Sequence, residues 1–369
     1  GRMDESVNLA AWVVWGGFGL ALVLGFVAAR TNFCTMGAIS DVVNMEHWGR
    51  VRMWLLAIAV AMIGTNLLYY GELIDLSKSI YHRPSLPWLS MLVGGILFGI
   101  GMTLAGGCAN KNLLRLGGGS LRSLVVLVFV AISAYMTLKG LFGQWRSSFL
   151  DPVAIDLSGF GMEGQGLPHL LAALTGMPAK TALLAATAAV ALALLIFVFK
   201  DKRFRTNGEQ VIGGTILGLI ITTAWYLTGH IGFAENPETL ELTFFGTSSR
   251  TLESMSFVAP TAYTLELLML WTDKSLRLTF GVATVLGVAL GSLIYALGAR
   301  KFRWEGFASV EDLGNQIVGG LLMGFGGVTA MGCTIGQGMS GVSTLAIGSF
   351  IALSGIVAGS VATMKWQQR

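Results

Sequence analysis

Long apolar runs separated by short polar breaks recur along the whole chain. They cover residues 8–29, 53–71, 88–107, 123–138, 181–199, 211–229, 279–299, 315–332 and 342–362. Most approach the ~20 residues that an α-helix needs to cross a bilayer. The apolar positions are continuous over most of each run, which reads as membrane-crossing helix. The run at 261–271 is too short to cross and predicts a half-helix or an interfacial piece. Residues 139–180 carry Pro152, Pro168, Pro178 and mixed charges, which predicts a long surface loop with short helices. The expected fold is therefore all-α and polytopic, with about nine transmembrane helices in a single transmembrane domain over 1–369.

Composition narrows the picture. Only 12% of residues are charged and 54% are hydrophobic, against roughly 25% charged in a soluble domain; mean hydropathy is +0.69. No cleavable leader is expected, because the first apolar run is long and leads straight into Arg30. Fifty glycines point to close helix approach and interrupted helices. The formal charge of +4 is informative loop by loop. Basic loops at 30–52, 111–122, 200–205 and 300–303 alternate with balanced or acidic ones at 72–87, 139–180 and 231–260. The positive-inside rule then predicts a periplasmic N-terminus and a cytoplasmic C-terminus. No basic patch interleaved with aromatics suggests a nucleic-acid partner. Three cysteines without a CxxC pair and four scattered histidines predict neither a metal site nor a cofactor.

One stretch is written twice. Residues 94–108 read GGILFGIGMTLAGGC and residues 319–333 read GGLLMGFGGVTAMGC, and at an offset of 225 eight of the fifteen positions match, the terminal cysteine included. An internal duplication follows. With nine crossings, the span ending at Cys108 runs inward and the span ending at Cys333 runs outward, so the repeats are inverted. The expected division is a first repeat at 9–138, a periplasmic loop plus connecting helix at 139–205, and a second repeat at 211–364. In the second repeat the counterpart of the break at Cys34 falls at Leu227-Thr228-Gly229-His230, without a thiol. Inverted repeats with broken helices build a permeation path whose site lies at the repeat interface.

Non-helical backbone at membrane depth is tolerated only where it is buried in protein or lines a cavity. Gly107, Cys108 and Asn110 at one break, and Gly332, Cys333, Thr334 and Gln337 at the other, combine glycine, a thiol and short polar groups. These predict two half-helices from opposite faces, with Cys108 and Cys333 facing each other across a narrow passage. Helix amides beginning after each break would favour an anion. Thiols hold soft, polarizable groups weakly, which suits a sulfur-containing anion that must also leave. Cys34 sits at a third break, and Asn32, Lys111 and Arg30 are candidates to attract an anion at the inner mouth. A lone buried cysteine is commonly just a small hydrophobe, and Lys111 and Arg30 also read as orientation-setting loop charges; the repeat tells for function in the Cys108/Cys333 pair. No Asp or Glu stands inside a span as a proton relay, which favours facilitated movement.

At these residues the chain resembles the YeeE/YedE family of bacterial inner-membrane proteins. The resemblance rests on Arg30-Thr31-Asn32-Phe33-Cys34-Thr35-Met36-Gly37-Ala38, on Ala105-Gly106-Gly107-Cys108-Ala109, and on Gly332-Cys333-Thr334-Ile335-Gly336-Gln337-Gly338. It implies an hourglass-shaped pore of nine spans that takes up thiosulfate, with Cys34, Cys108 and Cys333 passing the anion through S–H···S contacts. A small cytoplasmic sulfur-carrier protein is an implied partner, and no enzymatic activity is expected. The chain departs from the pattern in its long 139–180 region and in the basic, polar Asn110-Lys111-Asn112. Two other readings stay open: a membrane thiol oxidoreductase or sulfurtransferase, and a transporter or channel for another small anion such as sulfite or a selenium species.

Overall fold

The computed structural model describes the backbone from Arg2 and side chains from Asp4 to Arg369. Twelve helices organise it. The first six are α1 (Arg2–Arg30), α2 (Thr35–Met45), α3 (Gly49–Tyr70), α4 (Trp88–Leu104), α5 (Ala109–Gly117) and α6 (Leu121–Lys139). The rest are α7 (Ala179–Phe199), α8 (Gly208–Tyr226), α9 (Ala259–Met269), α10 (Phe280–Gly298), α11 (Val310–Thr329) and α12 (Ile347–Gln367). Among the described residues, eight stretches are long and apolar enough to cross a membrane, two of them joining a long helix to the short one after its break: Asp4–Met45 and Trp88–Gly117. The chain is a multi-pass membrane protein. The long helix outside that set, α11, carries Asn315, Gln316 and six glycines and is packed between α4 and α6 rather than against lipid. Its polar and glycine content lowers its hydropathy, and its neighbours make that content tolerable.

The start of α12 differs from the sequence-based boundary. The run from 342 is not one helix; residues Gly336–Gly341 form a tight π-type turn and α12 begins only at Ile347. Helix α9 is eleven residues long, as its short apolar run predicts, and its tip exposes Leu268, Met269 and Trp271. Region 139–180 holds short helices at Leu141–Trp145 and Leu167–Thr175. Two-residue strands Ser85–Leu86 and Ile155–Asp156 tie it to the loop after α3.

The packing is an exchange. Helix α1 lies on α10 and α8 on α3; α4 lies on α12 and α11 on α6; α2 touches α12 and α9 touches α6. Helices α4 and α11, the twice-written stretches, pack on each other, while α7 packs on α3 outside this pairing. Glycine sets the separations. A Cβ on Gly94 would stand 2.8 Å from the Gly326 carbonyl oxygen, and one on Gly101 would stand 2.6 Å from that of Gly319. As one index rises by seven the other falls by seven, so the two helices cross antiparallel, and equivalent residues exchange places at the contact. The same device recurs outward: a Cβ on Gly99 would meet the Ile356 carbonyl oxygen at 2.1 Å, and one on Gly324 would meet that of Val130 at 2.7 Å. Backbones this close leave no room for even a methyl group.

Candidate functional site

All three cysteines follow one backbone device. At the end of α1, Asn32 has φ 54 and the Phe33 N–H donates back to the Ala28 carbonyl. At the end of α4, Gly106 has φ 75 and the Gly107 N–H reaches the Met102 carbonyl; at the end of α11, Met331 has φ 62 and the Gly332 N–H reaches the Gly327 carbonyl. Each is a six-to-one helix closure with a left-handed residue. In each the cysteine comes two positions after that residue, where the chain turns extended and a new segment starts. Glycine is required beside two of the thiols for space: a Cβ on Gly107 would stand 3.0 Å from the Lys111 side chain, and one on Gly332 would stand 2.9 Å from the Gln337 amide nitrogen.

The sulfurs are buried: Cys34 is 4% exposed, Cys108 1% and Cys333 0%. The Gly37 N–H donates to Cys34 Sγ at 3.2 Å and the Gly336 N–H to Cys333 Sγ at 3.4 Å, in both cases from three residues ahead. A sulfur that accepts in this way keeps its own hydrogen free to donate elsewhere. Cys108 occupies the N-cap of α5 without a side-chain cap bond, so the first amides of that helix and its positive end are left to a ligand. The thiols form a series. Cys34 lies within electrostatic reach of Cys108, and Cys108 within reach of Cys333. Beside each is a buried side-chain oxygen that lacks a hydrogen-bond partner: Thr35 Oγ1, Asn110 Oδ1 and Thr334 Oγ1. Buried polar groups are ordinarily satisfied, and these three recur one or two residues after each thiol.

Positive charge gathers at one end of the series. Lys111 Nζ donates to Asn32 Oδ1 at 3.0 Å, joining the break after α1 to the first turn of α5. Arg115 arches over Gly106 and Gly107, and Arg50 lies against Gly37, held by Asp41 at 2.7 and 2.9 Å. Arg30 is not part of this group. It is exposed and paired with Glu209 at 3.2 Å. At the other end, a cavity of about 280 Å³ runs in from the loops beside α4 and α9 to the peptide before Cys333, with Tyr81, Trp225, Glu253, Ser254, Ser256 and Gly332 in its lining.

Sequence reasoning missed part of this. Gln337 was named, and its Nε2 donates to the Ala330 carbonyl at 2.6 Å. Its equivalent at the 225 offset, Asn112, stands in the sequence only as part of a polar run and not as a site residue, yet its Nδ2 donates to the carbonyls of Gly107 and Cys108 at 3.0 and 2.9 Å. Each break is thus latched by an amide at the same repeat position, a signal the offset itself contained. The counterpart of the Cys34 break also moves. Residues Leu227–Ile231 only extend α8 as a π-type turn. Val258, following the buried Phe257, occupies the N-cap of the short helix α9, as Cys34, following the buried Phe33, occupies that of α2. Separation in sequence hid this pair, because an intervening β-hairpin, Phe233–Glu235 with Leu242–Phe244, lengthens the connection.

Related proteins align with this chain over nearly its whole length. The chain is 28% identical over 357 residues, 93% of its own length and 91% of the relative's, to a thiosulfate transporter TsuA of Escherichia coli strain K12. It is 27% identical over 358 residues, 96% of its length and 98% of the relative's, to a thiosulfate transporter TsuA of Spirochaeta thermophila. The sulphur transport family model matches residues 30–362, a range that holds all three thiol breaks and both halves of the exchange, and the chain belongs to that family.

Proposed function

We propose that this protein imports a sulfur oxyanion, thiosulfate, across the bacterial inner membrane, and that Cys34, Cys108 and Cys333 pass it along by S–H hydrogen bonds. The observation that carries this reading is the middle position of Cys108, in electrostatic reach of both other thiols at the uncapped start of α5. Thiosulfate is a dianion with a soft terminal sulfur. A thiol donates a weak hydrogen bond to such an atom, and three weak stations in series let the ion leave as readily as it arrives. The oxygen end needs stronger, directional partners, which the amides at the start of α5, the Thr35 and Thr334 hydroxyls and the Asn110 amide group supply, while Gln337 holds the break through its bond to Ala330.

In this reading residues 9–138 and 211–364 are inverted repeats about an axis in the membrane plane, with 139–205 as loop and connector. The antiparallel glycine contact between α4 and α11 and the exchange of partners among the other helices support it. The basic end with Lys111, Arg115 and Arg50 faces the cytoplasm, together with the C-terminus. The cavity beside Cys333 opens to the periplasm, as does the N-terminus. Lys111 and Asn32 then stand at the exit, where a small cytoplasmic sulfur-carrier protein is the fitting recipient. The test is uptake of labelled thiosulfate into cells lacking other importers. Wild-type protein restores it and Cys108→Ala, expressed at equal level, does not; retained uptake in Cys108→Ala refutes the relay.

A further inference from the structure

The cavity that leads to Cys333 contains one carboxylate that nothing in the relay uses. Glu253 lies in the extended segment between the β-hairpin and α9, and its side chain lines the cavity together with Tyr81, Ser256 and Gly332. Its backbone is fixed on both sides by Thr228: the Glu253 N–H donates to Thr228 Oγ1 at 2.9 Å and the Thr228 hydroxyl donates to the Glu253 carbonyl. Its carboxylate is equally placed. The Ser249 N–H and hydroxyl donate to Oε1 at 2.9 and 2.7 Å, and the Ser248 hydroxyl at 3.4 Å, all to the same oxygen.

We propose that Glu253 is the proton-binding gate of this vestibule, admitting a dianion toward Cys333 only while its carboxyl is neutral. The proposal rests on the transport reading above and adds a proton to it. An ionised carboxylate in a narrow, low-dielectric passage repels a doubly charged anion, whereas a protonated one becomes a hydrogen-bond donor to it. Among the described residues that line the cavity, none is a cation free to cancel the carboxylate. Arg146, the basic side chain that lines the cavity, is held by Asp151 at 2.8 Å and donates to the Thr137 carbonyl. The other titratable groups facing Glu253 are the Tyr81 and Tyr263 phenols, neutral at physiological pH, with the Cys333 thiol behind Tyr81. Burial pushes the Glu253 carboxyl above its ordinary value against the serine bonds that oppose it.

Two measurements test this. Infrared difference spectroscopy on purified protein without substrate, stepped between acid and alkaline pH, reads the carboxyl directly. A protonated-carboxyl band that is absent in Glu253→Gln is expected, and identical difference spectra for the two proteins overturn the proposal. Labelled thiosulfate uptake against external pH gives the second. Wild-type uptake should fall with rising pH, by up to about tenfold per unit beyond the Glu253 midpoint. Glu253→Gln should transport at every pH as wild type does in acid, and Glu253→Asp should keep a slope. A wild-type pH profile retained in Glu253→Gln refutes the gate. If Cys333→Ala still abolishes uptake in that case, the relay stands and only the gate has failed; if Cys333→Ala transports normally, the relay has failed, and the infrared result decides Glu253 separately.

Discussion

Replacing Gly99 by alanine tests whether backbone contact between helices, rather than general apolarity, holds the two halves together. Gly99 lies on α4 where α12 crosses, and an added Cβ would stand 2.1 Å from the Ile356 carbonyl oxygen, 2.8 Å from the Ser360 nitrogen and 2.9 Å from the Ile356 carbonyl carbon. All three are backbone atoms, so no side chain can swing aside. The helices must separate by more than an ångström to restore ordinary contact, loosening the Thr103–Ser360 hydroxyl pair at 2.7 Å one turn further on. Overpacking of this kind costs about 1–3 kcal/mol. Gly314 on α11 is the control. It is exposed, with nothing within 4 Å of its added Cβ, and alanine there should gain up to about 1 kcal/mol from helix propensity. Thermal unfolding of the two variants in one detergent should therefore differ by about 1–4 kcal/mol. Gly324→Ala, whose Cβ would meet Ser133 Cβ at 2.6 Å and the Val130 carbonyl oxygen at 2.7 Å, should resemble Gly99→Ala because it is the exchanged partner. Equal melting of Gly99→Ala and Gly314→Ala would refute the close-approach argument.

Beyond the Cys108 and Glu253 tests, two more outcomes are expected. His82 is buried with Nε2 at 2.7 Å from the Thr344 carbonyl, and burial lowers its pKa from 6.5 to about 4. The folded protein thus resists binding a proton that the unfolded chain accepts. Stability is full above pH 6.5 and is lost as pH falls from there toward about 4, by roughly 3 kcal/mol at most. Melting temperature against pH should show a shallower acid loss in His82→Gln, and an unchanged slope would remove His82 as the cause. At the basic end, Lys111→Met and Asn32→Ala should each change uptake mainly through its maximal rate, since they stand at the cytoplasmic exit rather than where the anion enters; kinetics unchanged in both would exclude that mouth from the path.

The apolar runs by themselves determined an all-helical membrane protein, since a window without charges or breaks has few other folds open to it. The duplicated stretch determined that two thiols occupy equivalent positions, because repeat register is a property of sequence alone. Even the half-helix at 259–269 was legible, being too short to cross. What the sequence left open was decided in space. Whether Gly94 and Gly101 face lipid, solvent or Gly326 and Gly319 depends on which helix the fold brings alongside, and helix periodicity is silent on that. Arg30 and Lys111 look alike as loop charges; only the approach of α5 to the break after α1 gives Lys111 to Asn32 and leaves Arg30 to Glu209. The likeness of Val258 to Cys34 as N-caps, and the arrival of Glu253 and Tyr81 beside Cys333, involve segments tens to hundreds of residues apart. Contacts between such segments follow from how the helices pack, because local pattern fixes which face of a helix is apolar and tertiary packing fixes what that face meets.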